Sequence, residues 1–198
     1  MAQWSRRALI SFGVVYAVLI WVGAQPLLAN RGIPLLWVAG GFAAGGVLLA
    51  GKRLLPIIFI GAFIAYTVVF RQLGLSSERL LAAALVFGLS AIIQAWLVNW
   101  LVRRFGRTLP PSSIRYTLVV CGLLALAVLP APFLAVMVLV VVQQPLVSSP
   151  PIVALQWWLN LVAGVWLVTP WMVLGEYYRQ RRPMREPWLW PVSSLLLA

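Results

Sequence analysis

Four uncharged polar residues sit inside long apolar runs and are the best candidates for chemistry in this chain. Ser90 and Gln94 stand four residues apart, and Gln156 and Asn160 repeat that spacing. Residues four apart on a helix share a face. Hydroxyl and amide groups surrounded by hydrocarbon need partners, so they turn toward a bundle interior or a wet cavity. The chemistry open to such a set is binding. These four are candidate lining for a ligand pocket, and plain interhelical hydrogen bonding is the simpler reading.

Bond-making chemistry has little to work with. The chain contains no His and no Asp, and its only carboxylates are Glu78, Glu176 and Glu186. That excludes a Ser-His-Asp triad, a His-based zinc site and an Asp-rich two-metal centre, so no catalytic residue, metal ligand or cofactor site is expected. Cys121 is the single cysteine, has no partner for an intrachain disulfide, and reads as a small core residue. None of the apolar runs carries a charge, which counts against ion-coupled transport.

A second group of residues points to helix packing. In Ala39–Gly46, Gly41 and Gly45 lie one helical turn apart, where small residues let two backbones approach closely in lipid. The run is no phosphate loop, because no strand precedes it and no Lys-Ser/Thr pair follows. Pro130 and Pro132 are expected to kink the run that holds them, and the pair Thr169-Pro170 joins the helix-packing candidates.

The elements that must position these residues follow from composition. Apolar residues make up 63% of the 198-residue chain and charged residues 9%, against roughly 25% charged in soluble domains. The fold class is therefore all-α, a polytopic transmembrane bundle. The runs Ala8–Leu28, Leu35–Ala50, Leu54–Phe70, Leu80–Val102, Tyr116–Val142 and Ile152–Leu174 are the expected spans. The second is short, and the fifth is either one kinked crossing or two half-helices. Trp188–Ala198 reads as a seventh span cut off midway, in a single transmembrane domain over residues 1–198 that is truncated at its C-terminal end and has no soluble domain. The first run resembles a signal peptide but reads as a retained anchor, because further apolar runs follow.

The net charge of +12 comes in short clusters between these runs rather than on one water-exposed face, so nucleic acid is not the expected partner. With the N-terminus in the cytoplasm, Arg6, Arg7, Lys52, Arg53, Arg103, Arg104, Arg107, Arg115, Arg179, Arg181, Arg182 and Arg185 fall inside, and only Arg31, Arg71 and Arg79 outside. Trp4, Trp37, Trp100, Trp157, Trp158, Trp171, Trp188 and Trp190 lie near the expected interfaces, whereas Trp21, Trp96 and Trp166 do not.

Three stretches resemble the bacterial MASE-type membrane-associated sensor domain, an N-terminal input module of histidine kinases and cyclic-di-GMP enzymes. Leu36–Phe63 is similar to its small-residue helix, basic turn and following helix, with Pro56 and Gly61-Ala62 in place and Leu55 where a Trp is usual. Phe87-Gly88 through Arg103-Arg104-Phe105 resembles the next span, which ends in paired arginines. Trp157-Trp158 through Gly164 to Thr169-Pro170 resembles a late span, with Asn160-Leu161 where many members have Gly-Asp.

The resemblance implies a sensory domain of the bacterial inner membrane, passing a stimulus to a cytoplasmic output domain in two-component or cyclic-di-GMP signalling. It implies as partners the lipid bilayer, that output domain, and either a second copy or another membrane protein. Helix packing at Gly41, Gly45, Pro130, Pro132, Thr169 and Pro170 would supply the bistable element. A subunit of a passive transporter or channel is the alternative.

Overall fold

The computed structural model describes residues 4–29, 36–105, 114–141 and 149–181. All regular elements among them are helical. α1 (Arg6–Gly23) is capped by Ser5, whose Oγ accepts from the Ala8 N–H at 3.2 Å. The short α2 (Gln25–Leu28) follows it. Next come α3 (Val38–Ala50), a 3-10 turn at Gly51–Leu54, and α4 (Leu55–Gln72). α5 (Ser77–Phe105) is 29 residues long, with Glu78 in its first turn and Arg103 and Arg104 in its last, signs that suit the helix dipole. α6 (Ile114–Ala127), α7 (Pro130–Val141) and α8 (Pro150–Arg181) complete the bundle.

Among the described residues, five helical stretches are long and apolar enough to cross a membrane: Arg6–Leu28, Val38–Gln72, Ser77–Phe105, Ile114–Val141 and Pro150–Glu176. The second of these folds back on itself. At Gly51 the backbone has φ 75°, a conformation that a side chain disfavours. The helix beyond the turn runs in the opposite sense, because Trp37 before α3 and Phe70 near the end of α4 line one and the same pocket. A straight helix would hold those residues roughly 50 Å apart. The described residues therefore pass through the bundle six times. The leg formed by α3 is short, its 13 residues rising about 20 Å.

Neighbouring contacts fix the sense of each leg. Phe12 of α1 stacks on Phe42 of α3 with centroids 4.5 Å apart, and Gly23 at the other end of α1 faces Trp37, so α1 and α3 are antiparallel. Phe87 of α5 meets Tyr66 at 4.5 Å and Phe70 at 5.1 Å, while Arg103 reaches back to Leu48 and Gly51. α8 runs parallel to α3: Gly40 faces Leu161, Gly41 faces Gly164 and Val168, and Gly45 faces Met172.

The run Ile114–Val141 is one stretch broken at Val128-Leu129. Pro130 has no N–H to offer Leu126 O, which accepts instead from Leu129, three residues on. That shift removes the usual donor to Ala125 O, and Trp158 Nε1 of α8 donates to it at 3.0 Å. Trp166 Nε1 donates in the same way to Cys121 O at 2.9 Å. Trp166, away from both expected interfaces, is thus an anchor between α6 and α8.

These directions gather basic residues at one end. Arg6, Arg7, Lys52, Arg53, Arg103, Arg104, Arg115, Arg179 and Arg181 lie at the end holding the α3–α4 turn, and Arg71 and Arg79 at the other. Arg31, Arg107, Arg182, Arg185, Trp188, Trp190 and the expected seventh span lie outside the described residues. By the positive-inside bias the arginine-rich end is expected in the cytoplasm. A reporter active only in the cytoplasm should signal when fused at Lys52 and stay silent at Ser76. Signal at Ser76 would reverse this orientation.

Candidate functional site

Polar side chains from three helices converge in the middle of the bundle. Tyr16 of α1, Tyr66 of α4, and Ser90 and Gln94 of α5 line a cavity of about 30 Å³. Their exposures are 4%, 8%, 6% and 7%, so all four are more than nine-tenths buried. None of the four side chains hydrogen-bonds to another protein group. Among the described residues, no side-chain nitrogen or oxygen is sealed away without a partner. The polar atoms of these four therefore open onto the space they line.

Aromatic packing holds that space open and closes one end of it. Trp37 and Trp157 meet at 5.9 Å, and Phe87 lies 5.9 Å from Trp157 and 4.5 Å from Tyr66. These rings also bound a small apolar pocket of about 10 Å³ with Ala24, Leu27, Val69 and Phe70, toward the arginine-poor end. Aromatic pairs of this kind contribute about 0.5–1.5 kcal/mol each beyond their buried area. The remaining walls are Gly40, Ala91, Ala131, Ala135 and Leu161. No charged side chain lines the cavity.

The cavity abuts the crossing of α3 and α8. A Cβ on Gly40 would lie 3.1 Å from Gln94 Nε2 and 2.8 Å from Leu161 Cδ2, so this glycine packs against both the cavity amide and α8. At the next residue, a Cβ on Gly41 would collide with the backbone carbonyl of Gly164. A Cβ on Gly164 would in turn strike the carbonyl of Trp37. Thr169 Oγ1, buried on α8, donates to Gly41 O at 3.0 Å, and the Trp37 N–H donates to Asn160 O at 3.2 Å. The two backbones are as close as glycine permits, and polar groups stitch them together.

At the arginine-rich end, Arg103 ties α5 to α3. Its Nε donates to Asn99 Oδ1 at 2.6 Å and its Nη2 to Leu48 O at 3.3 Å. Leu48 O is one of the last carbonyls of α3, which lack intrahelical donors and carry the negative end of the helix dipole. Asn99 itself is buried.

Of the two polar pairs expected to line a pocket, the structure brings only Ser90 and Gln94 to the cavity. Gln156 is exposed on α8, and Asn160 is half-buried and engaged through its backbone carbonyl. The inward face of α8 is Trp157, Leu161, Gly164, Val165 and Thr169. That face is rotated one residue from the Gln156–Asn160 line, about 100° around the helix. Gly41, Gly45, Pro132 and Thr169 are buried, Pro130 is half-buried, and Pro170 sits exposed inside α8.

Tyr16, Tyr66, Gly40, Gly164, Asn99 and the clamp role of Arg103 do not emerge from sequence reading alone. Tyr prefers the membrane interfaces, so its mid-span placement at residues 16 and 66 was the available signal. An isolated glycine in an apolar helix was the signal at Gly164.

Helices of membrane-spanning length around an uncharged polar cavity define a polytopic membrane domain. Among the described residues there is no cluster of three or more His, Cys, Asp or Glu. The chain belongs to the MASE1 family of membrane-associated sensor domains, whose family model matches residues 8–198. No curated protein and no solved structure matches it.

Proposed function

We propose that this domain is a sensory input module of the bacterial inner membrane, which relays a stimulus to a cytoplasmic output domain and does no chemistry itself. The family match over residues 8–198 carries the reading. The arrangement of the cavity supports it. Its polar groups come from α1, α4 and α5, so an occupant that bonds to all three weights their relative positions. Gln94 leans on Gly40, and the neighbouring Gly41 is locked to α8, which runs on to the arginine-rich end. A channel would need a continuous polar passage, whereas this polar space is about 30 Å³ and is closed by aromatic rings on one side.

The test is the output activity of the full-length protein in native membranes. Reading the gene beyond codon 198 should reveal a kinase or cyclic-di-GMP domain, and a protein continuing only in further spans would overturn the relay. Gln94→Leu removes a polar demand along with its benefit, so stability should change by only about 1 kcal/mol. The output set point or stimulus response should nevertheless shift severalfold. An unchanged output would remove Gln94 from the sensing path.

A further inference from the structure

We infer that the space between Tyr16, Tyr66, Ser90 and Gln94 is a binding site for a small neutral hydrogen-bonding ligand of water-cluster size. Four polar side chains, each more than nine-tenths buried, make no hydrogen bond within the protein and open onto one space. At this depth in a membrane domain no bulk solvent is at hand, and an unsatisfied polar group costs several kcal/mol. One or two such groups could be strays. Convergence of hydroxyls and an amide from three separate helices is a built site.

The chemistry of the lining selects the ligand. Tyr and Ser hydroxyls both donate and accept, and the Gln amide offers two donors and an acceptor. A ligand that satisfies them must itself carry both functions. The absence of any charge in the lining disfavours ions, whose desolvation would go uncompensated. Size is equally restrictive. A water needs about 10–15 Å³ of such volume and two to four polar partners, so about 30 Å³ takes roughly two waters or one solute of a few heavy atoms. The shared chemistry is a neutral O–H or N–H donor that also accepts. Its source is either solvent water or a dissolved short amide or alcohol.

This inference deepens the sensory reading by naming what its central site holds, yet its test needs no output domain. X-ray radiolysis of the purified protein in lipid nanodiscs generates hydroxyl radicals from water, which oxidise side chains beside bound water even in a protein interior. Tyr16 and Tyr66 should be labelled severalfold faster than Phe12, which is at least as buried and stacks on Tyr16 but does not line the cavity. The double variant Ser90→Ala/Gln94→Leu should lose most of that labelling. Ala135→Val, which narrows the cavity and leaves every polar group in place, should lower it as well. Repeating the measurement with acetamide identifies the source. Saturable protection of both tyrosines means the site takes a solute, and labelling unchanged by acetamide means that water is the ligand. Tyrosines labelled no faster than Phe12 would overturn the site itself. Strong labelling together with normal signalling in Gln94→Leu would keep the site and sink only its sensory role.

Discussion

Gly41→Ala should destabilise the domain by about 3 kcal/mol, the upper end of the usual cost of overpacking, and Gly41→Leu should prevent its stable accumulation. The added Cβ meets backbone, the carbonyl of Gly164, and lies 2.8 Å from Val168 Cβ. Backbone cannot rotate out of the way, so α3 and α8 must separate. Separation also strains the Thr169 Oγ1 bond to Gly41 O. Gly45, one turn on, is a different case. Its nearest neighbour is Met172 Sδ at 2.6 Å, which another rotamer can carry away, and the Met172 Cβ at 3.0 Å needs only a backbone shift of about a few tenths of an ångström. Gly45→Ala should therefore cost about 1 kcal/mol or less. Thermal unfolding in mild detergent ranks the two. Equal losses at Gly41 and Gly45 would show that spacing alone, and not the partner surface, sets the cost.

That ranking marks how far the sequence could be read. The four-residue spacing of Gly41 and Gly45 announces a close helix contact, because small residues are the general device for it in lipid. It does not say which helix comes close, or whether backbone or side chain faces each glycine. Spans are legible for a similar reason. Length and apolarity are local properties, and the short second run proved to be the α3 leg, turned at Gly51 beside Lys52 and Arg53. The kink near Pro130 is also local, since a proline removes its own hydrogen bond wherever it sits. The way the fold satisfies the freed Ala125 carbonyl, from Trp158 of α8, is not.

The inward face of each helix is the least legible feature. In a soluble helix the polar stripe marks the outside, but in this chain lipid-facing and core-facing residues are both apolar. On α5 the polar pair Ser90 and Gln94 does mark the interior. On α8 the same argument picks Gln156 and Asn160, and the fold instead buries Trp157, Leu161, Val165 and Thr169. Gln156 lies near the start of α8, where exposure to the interfacial region costs an amide little. Tyr16 and Tyr66 were hidden by their bulk, which reads as apolar filling until the lack of any hydrogen-bond partner singles out their hydroxyls.

The Arg103–Asn99 contact should behave as a coupled unit worth about 1–2 kcal/mol in a double-mutant cycle. Hydrogen bonds to a charged group contribute about 1.5–3 kcal/mol, and Asn99 Oδ1 accepts one at 2.6 Å. Arg103→Ala leaves the buried Asn99 without that donor and deprives Leu48 O of its own, so it should cost about 2–3 kcal/mol. Asn99→Leu on its own strips the guanidinium of an acceptor. Once Asn99 is Leu, removing Arg103 orphans nothing on α5, and the second loss should be the smaller one. Arg103→Lys keeps a positive charge near the end of α3 but cannot fork between two acceptors, so it should recover only part of the stability. Additive single losses would mean that Arg103 is merely one more arginine of the arginine-rich edge. Coupled losses would make it the fixed point between α3 and α5, on the same helix as Gln94 and two and a half turns away. A change at the cavity then cannot slide α5 freely past α3. It would instead move α5 and α3 together, with Arg103 as their shared point at the arginine-rich end.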